Sequence, residues 1–179
     1  MFDREQFIED CASAVRQGDR QRAVQEVVAR AMTDPAAVLE ALGQPARPGP
    51  QIVRASDSIT ILNVTWPAHC VLRPHNHLMW SVMGLYCGRK DNILWPRLPG
   101  DGPSRISAVG AKSVSTGDVL LLGKDIVHSV VNPSSRISRA IHIYGGGYFH
   151  TPRSEWDPDT LGEKPLDLEA FLRALETKS

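Results

Sequence analysis

The sequence predicts a mainly β protein: an antiparallel barrel or sandwich preceded by α-helices and followed by one more helix. Three observations carry this. Residues 1–43 repeat apolar side chains at helical spacing, whereas residues 50–147 break into short β-branched runs separated by turn residues. Residues 148–179 are polar and proline-containing, and they end in one amphipathic segment. At 179 residues the chain is near the length of one domain, so a single structural domain with appended segments is expected.

The elements follow in order. Phe7, Ile8, Cys11 and Val15 form one helical stripe; Gly18-Asp19 breaks it, and Val24, Val27, Val28 and Ala31 restart it. Asp34 and Pro35 open a third short helix as N-cap and first-turn proline, and Gly43 closes it. Three prolines and a glycine in Gln44-Pro-Ala-Arg-Pro-Gly-Pro50 exclude a helix or a central strand, which marks a boundary. Short helices are marginal alone in water, so residues 1–43 should pack on the β region as a cap. The expected strands are Ile59–Thr65, Trp80–Tyr86, Arg105–Val109, Val119–Leu122, Val127–Val131 and Ile137–Tyr144. Gly88-Arg-Lys-Asp91-Asn92 reads as a charged turn able to line a barrel mouth, and Pro99–Pro103, Gly117-Asp118 and Asn132–Ser135 read as further turns. Tyr148–His150 and Ser154–Trp156 read as a tail crossing the barrel, with Trp156 as packing. Leu168, Phe171, Leu172 and Leu175 form the last helix behind Asp167.

Composition narrows the function. Twenty basic and twenty acidic residues leave a formal net charge of zero, against a nucleic-acid binder with a basic face. No apolar run approaches the roughly 18 residues needed to cross a bilayer, so no membrane partner is expected. The polar start MFDREQFIED is unlike a signal peptide, which makes the cytoplasm the expected location. Cys11, Cys70 and Cys87 are odd in number and form no Cys-x-x-Cys pair; they read as small core residues. The Gly145–Gly147 run has no helix signal after it, which argues against a phosphate loop.

The histidines are the first place for chemistry. His75 and His77 lie two apart in an extended context, so both face one side of a strand and can converge on one ion. His128 follows Gly117 and precedes Asn132. This pattern resembles the cupin superfamily, with its motifs G-x5-H-x-H-x3,4-E-x6-G and G-x5-P-x-G-x2-H-x3-N. His75, His77 and Gly88 keep the first motif in register, and Gly117, His128 and Asn132 keep the second. The glutamate position holds Ser81 (Val82 in the longer spacing), and the second motif's Pro and Gly are Gly123 and Asp125. The resemblance covers residues 50–146 and implies a double-stranded β-helix, or jelly-roll barrel, binding a metal through His75, His77 and His128. His69 and His150 lie outside both motifs. Without the glutamate, an ion held by three neutral imidazoles keeps its full +2 charge and favours a thiolate, carboxylate or enolate.

A second resemblance is narrower. His142 and Tyr144, 14 and 16 residues after His128, look like the Ser-x-His-x-Tyr segment of cysteine dioxygenase and related thiol dioxygenases, with Ala140 at the serine. Trp66 and its strand also resemble the approach to that family's metal motif. The family's crosslinking cysteine falls near Val82, which carries no sulfur. The resemblance implies Fe(II) as cofactor, with Ni, Zn or Cu also suited to imidazole ligands. It implies a small thiol, or another small anionic substrate, and O2 as partners, and a sulfinate as product. Tyr144, oriented by His142, would be catalytic and Arg54 would bind a substrate carboxylate, with Arg73 as its competitor. Leu78, Met83 and Val130 would form the apolar wall. Homodimerisation is compatible with this reading. The alternatives are a three-histidine cupin cleaving a C–C bond of a diketone or phenolic ketone, and a non-catalytic metal-binding cupin.

Overall fold

The computed structural model of the chain describes residues 1–43, 47–99 and 104–176. Residues 44–46 of the expected boundary and residues 100–103 of one expected turn lie outside the described residues. Three helices come first: α1 (Arg4–Ala14), α2 (Arg20–Ala31) and α3 (Pro35–Leu42). Each starts at an aspartate whose carboxylate accepts a first-turn N–H: Asp3 from Gln6, Asp19 from Arg22 and Asp34 from Ala37. Gly43 ends α3 at φ +69°, where a glycine is favoured.

The strands then pair as one long hairpin folded over on itself. β2 (Thr60–Trp66) pairs with β9 (Ser138–Tyr144), and β3 (Val71–Asn76) pairs with β8 (Val127–Val131). β4 (Ser81–Cys87) pairs with β7 (Val119–Leu122), and β5 (Arg89–Leu94) pairs with β6 (Gly110–Ser115), all antiparallel. Further ladders between β4 and β9 and between β5 and β8 coil this ribbon into two antiparallel sheets. Nested pairing plus coiling is a double-stranded β-helix, the jelly-roll barrel. β1 (Gly49–Ala55) extends one sheet beside β2, and β10 (Ser154–Trp156) and β11 (Glu163–Pro165) extend the other beside β3. The helix α4 (Leu168–Glu176) follows, with Asp167 capping Ala170 N–H.

The registers decide which side chains face the interior. Leu62 and Met83 lie opposite His142, and Thr60 and Ser81 lie opposite Tyr144, so these residues share the inner face. The outer face of that sheet gives Ile61, Val82, Ile141 and Ile143 to a core shared with Phe7, Ile8, Val24, Val28 and Val38. Every residue of β2 and β9 is therefore buried, the polar Asn63, Arg139 and His142 included. α2 sits against Gly84: a Cβ there would lie 2.7 Å from Val28 and 2.9 Å from Met32.

Two expected elements differ. Arg105–Val109 forms no strand, only single bridges from Ile106 to Arg97 and from Arg105 to Gly162; the strand starts at Gly110. The charged turn after Gly88 is one residue long. Gly88 takes φ +86°, and the chain at once becomes β5. There Lys90 and Asn92 are buried, whereas Arg89 pairs with Asp91 through bonds of 3.0 Å.

Candidate metal centre

His75 on β3 lies directly opposite His128 on β8. Pro74 is accommodated where that register shifts, between Leu72 and His75, because a bulge needs no ladder N–H from it. β3 ends at Asn76, so His77 reaches the cluster from the residue after the strand rather than from the strand itself. The three rings are buried, and one ligand nitrogen of each lies within 4.8 Å of the others. His77 Nε2 and His128 Nε2 are 2.9 Å apart. Two ligands at right angles on an ion with bonds of about 2.05 Å would be separated by about 2.9 Å, so this pair fits a metal.

Hydrogen bonds fix two of the rings in the ligand form. His75 Nδ1–H donates to the Arg73 carbonyl at 3.0 Å, and His128 Nδ1–H donates to Asn92 Oδ1 at 3.2 Å. Each bond leaves the Nε2 lone pair free for a cation. His77 Nδ1 is buried with no partner. Burial pulls the His75 pKa down to about 4 and those of His77 and His128 well below the usual value, so all three rings are neutral. No carboxylate joins them among the described residues. Ser81, at the expected glutamate position, faces the interior opposite Tyr144, and its Oγ is buried without a partner.

His142 and Tyr144 stand beside this cluster. The Tyr144 ring centroid is 5.0 Å from that of His77, and the Tyr144 hydroxyl is 3.0 Å from His142 Nδ1. Burial, reinforced by Tyr148, raises the phenol pKa well above its ordinary value, so Tyr144 keeps its proton. The other nitrogen of His142 is 3.4 Å from Lys90 Nζ, and its ring stacks on Trp66 at 6.0 Å.

The cluster opens into a cavity lined by Leu62, Val64, Leu72, Val130, Tyr144 and Tyr148, with α4 across its mouth. The Phe171 ring of α4 lies edge-on to the His75 ring with centroids 4.7 Å apart, and Leu175 is buried in the same lining. About 20 Å³ remains for the centres of water-sized molecules, room for one small occupant. Of the expected wall residues, Val130 lines this cavity. Met83 packs deeper, against Lys90, and Leu78 does not line it, being in a left-handed turn at φ +51°.

The arginines are placed elsewhere. A bulge between Ile52 and Arg54 breaks the alternation of β1, and Arg54 meets Glu9 of α1 at 3.5 Å, half-exposed and outside the cavity. Arg73 is engaged by Glu155 at 3.2 Å. Two buried cations lie near the cluster among the described residues, and neither belongs to a motif. Arg153 lies over the Tyr148 ring at 3.9 Å, and Lys90 lies behind His142. Lys90 and Asn92 have the two-residue spacing of a strand face, but the turn-like composition of Arg89-Lys-Asp-Asn92 masks it.

No protein-family model matches the sequence, and no curated protein is similar to it in sequence. Solved structures resemble parts of it. A double-stranded β-helix protein from Klebsiella pneumoniae aligns with a TM-score of 0.46 at 11% identity, over 72% of this chain and 88% of that one. An RmlC-like cupin protein from Methanocaldococcus jannaschii aligns with 0.45 at 9%, over 60% and 89%. Oxalate decarboxylase from Bacillus subtilis aligns with 0.43 at 13%, over 59% of this chain but 27% of that one. These superpositions are partial, and the architecture rests on the strand order. The chain has a double-stranded β-helix fold with three buried, converging histidines inside the barrel.

Proposed function

We propose that the chain is a non-haem Fe(II) thiol dioxygenase that oxidises a small thiol to its sulfinate. The observation that carries this is the His142–Tyr144 pair packed against His77 in the same closed cavity. The overall change is RSH + O2 → RSO2H: sulfur gives up four electrons, and both oxygen atoms end on it. His75, His77 and His128 would hold the iron, which when bound supplies the redox chemistry that joins a thiolate to O2. The chain's own residues do the rest. Three neutral imidazoles leave the ion's charge uncompensated, which favours an anionic sulfur ligand. Tyr144 keeps its proton and can donate it to a substrate or oxygen atom beside His77. Leu62, Val64, Leu72, Val130 and Phe171 exclude water from that atom.

The Tyr144 hydroxyl and the His142 ring in the cavity lining support a thiol over a diketone or phenolic ketone, for which a wholly apolar wall would be expected. Arg54 pairs with Glu9 and lies outside the cavity, and no Lys or Arg lines the cavity among the described residues. The test is oxygen uptake by iron-loaded protein with cysteine, cysteamine and 3-mercaptopropionate. Sulfinate formed from one of them, one per O2 consumed, is the expected result. Uptake no faster than with free iron for all three overturns the proposal.

A further inference from the structure

Lys90 is the feature of the barrel interior that the proposed chemistry leaves unused. It is 1% exposed, and no salt bridge reaches it among the described residues. Its Nζ lies 3.2 Å from Met83 Sδ, 3.4 Å from His142 Nε2 and 4.8 Å from the centre of the Trp66 ring. The chain of contacts continues through His142 Nδ1 to the Tyr144 hydroxyl at 3.0 Å. Ala140, at the serine position of the Ser-x-His-x-Tyr pattern, brings no polar atom to His142. Lys90 is the group that meets the imidazole from behind.

We propose that Lys90 is a positioning residue that sets the direction of the His142–Tyr144 hydrogen bond, and so decides whether Tyr144 offers its proton to a ligand in the cavity. An ammonium has only donors. When Lys90 is charged it must donate to His142 Nε2, which puts the imidazole proton on Nδ1. Nδ1–H then donates to the Tyr144 oxygen, and the phenol proton is left for an acceptor beside His77. A neutral amine can instead accept from Nε2–H. Nδ1 then carries the lone pair and accepts a hydrogen bond from the Tyr144 O–H, and the donor to the cavity is withdrawn.

Burial lowers the Lys90 pKa to about 7, which brings both states within reach near neutrality. The groups facing it are His142 from β9, Trp66 from β2 and Met83 from β4, with His75, His77 and His128 feeling its charge from farther away. On its own strand Arg89 and Asp91 face outward and satisfy each other, and Val114 is its apolar neighbour on β6. Arg139 of β9 is on the other face, where its charge acts on Tyr86.

This inference rests on reading Tyr144 as the group that faces the bound ligand, but its test does not use turnover. The metal-free protein, carrying ¹⁵N-labelled histidine, is observed by NMR at about pH 6 and about pH 9, and the protonated nitrogen of His142 is read directly. In wild type the proton should lie on Nδ1 at the lower pH and move toward Nε2 at the higher, with a midpoint near about 7. Lys90→Arg, a permanent cation, should hold Nδ1–H at both pH values, and Lys90→Met should show no change between them. The same tautomer behaviour in wild type and Lys90→Met overturns the proposal. Wild type alone can also overturn it, by carrying the proton on Nε2 at the lower pH, so the test survives a variant that fails to fold. A failed thiol assay would sink the proposed function while this tautomer result stood.

Discussion

Asn92 holds His128 by a bond that no motif spacing announces. Removing it in Asn92→Ala leaves the His128 tautomer free, and metal affinity should fall about 10- to 100-fold with the fold retained. Competition with a chelator of known affinity measures this; unchanged affinity would mean that the bond does not orient the ligand. Tyr144 should behave differently. Tyr144→Phe should keep its metal and lose about ten- to a thousandfold in turnover, because the hydroxyl serves the reacting state and not the ion. Full activity in that variant would remove Tyr144 from the chemistry. Lys90 carries a stability signature. Its pKa falls from 10.5 to about 7 on folding, so between those values the unfolded chain binds the extra proton and stability rises with pH. The ammonium's burial penalty is felt in full below about 7 and is relieved as pH climbs toward 10.5. Lys90→Met should therefore be stabilised most at and below about pH 7, with the gain shrinking by about pH 9.5 in urea melts. A gain that does not change with pH would contradict the buried cation. The three clustered histidines were legible because ligand spacing survives in sequence as a number. Lys90 and Asn92 were not, because Arg89-Lys-Asp-Asn92 has the composition of a turn, and only the sheet pairing reveals which of the four face inward.

At the scale of elements, α4 decides what reaches the cluster. Its apolar stripe was visible in the spacing of Leu168, Phe171, Leu172 and Leu175, but the surface it covers was not, since helical periodicity gives a face and not a partner. The structure seats that face over the barrel mouth, with Phe171 against His75. Phe171→Ala should open the mouth and speed loss of bound metal to a chelator by at least about tenfold, at a cost of about 3 kcal/mol in stability. An unchanged release rate, measured by stopped mixing with excess chelator, would mean that metal leaves by another route. The N-terminal helices were legible down to their caps, because Asp34-Pro35 and Gly43 encode start and stop locally. β1 and β6 were hidden by low β-propensity: Gly110-Ala-Lys-Ser-Val-Ser115 is largely exposed and owes its extension to pairing with β5.

For the molecule as a whole, the nested ribbon explains why histidines more than fifty positions apart meet. β3 and β8 are partners in one long hairpin, which brings His75 opposite His128, and coiling of the ribbon carries His142 and Tyr144 on β9 to the same interior. The barrel as a class could be read from its short strands and two motifs, whereas the closing of the cavity depends on a helix at the far end of the chain. The most direct measurement is an anaerobic calorimetric titration of metal-free protein with Fe(II), repeated for His75→Ala, His77→Ala and His128→Ala variants shown to be folded by circular dichroism. One ion per chain in wild type, its binding lost in each histidine variant and kept in Arg54→Ala, is the expected result. Full, unchanged binding in the histidine variants would contradict a metal centre in the barrel.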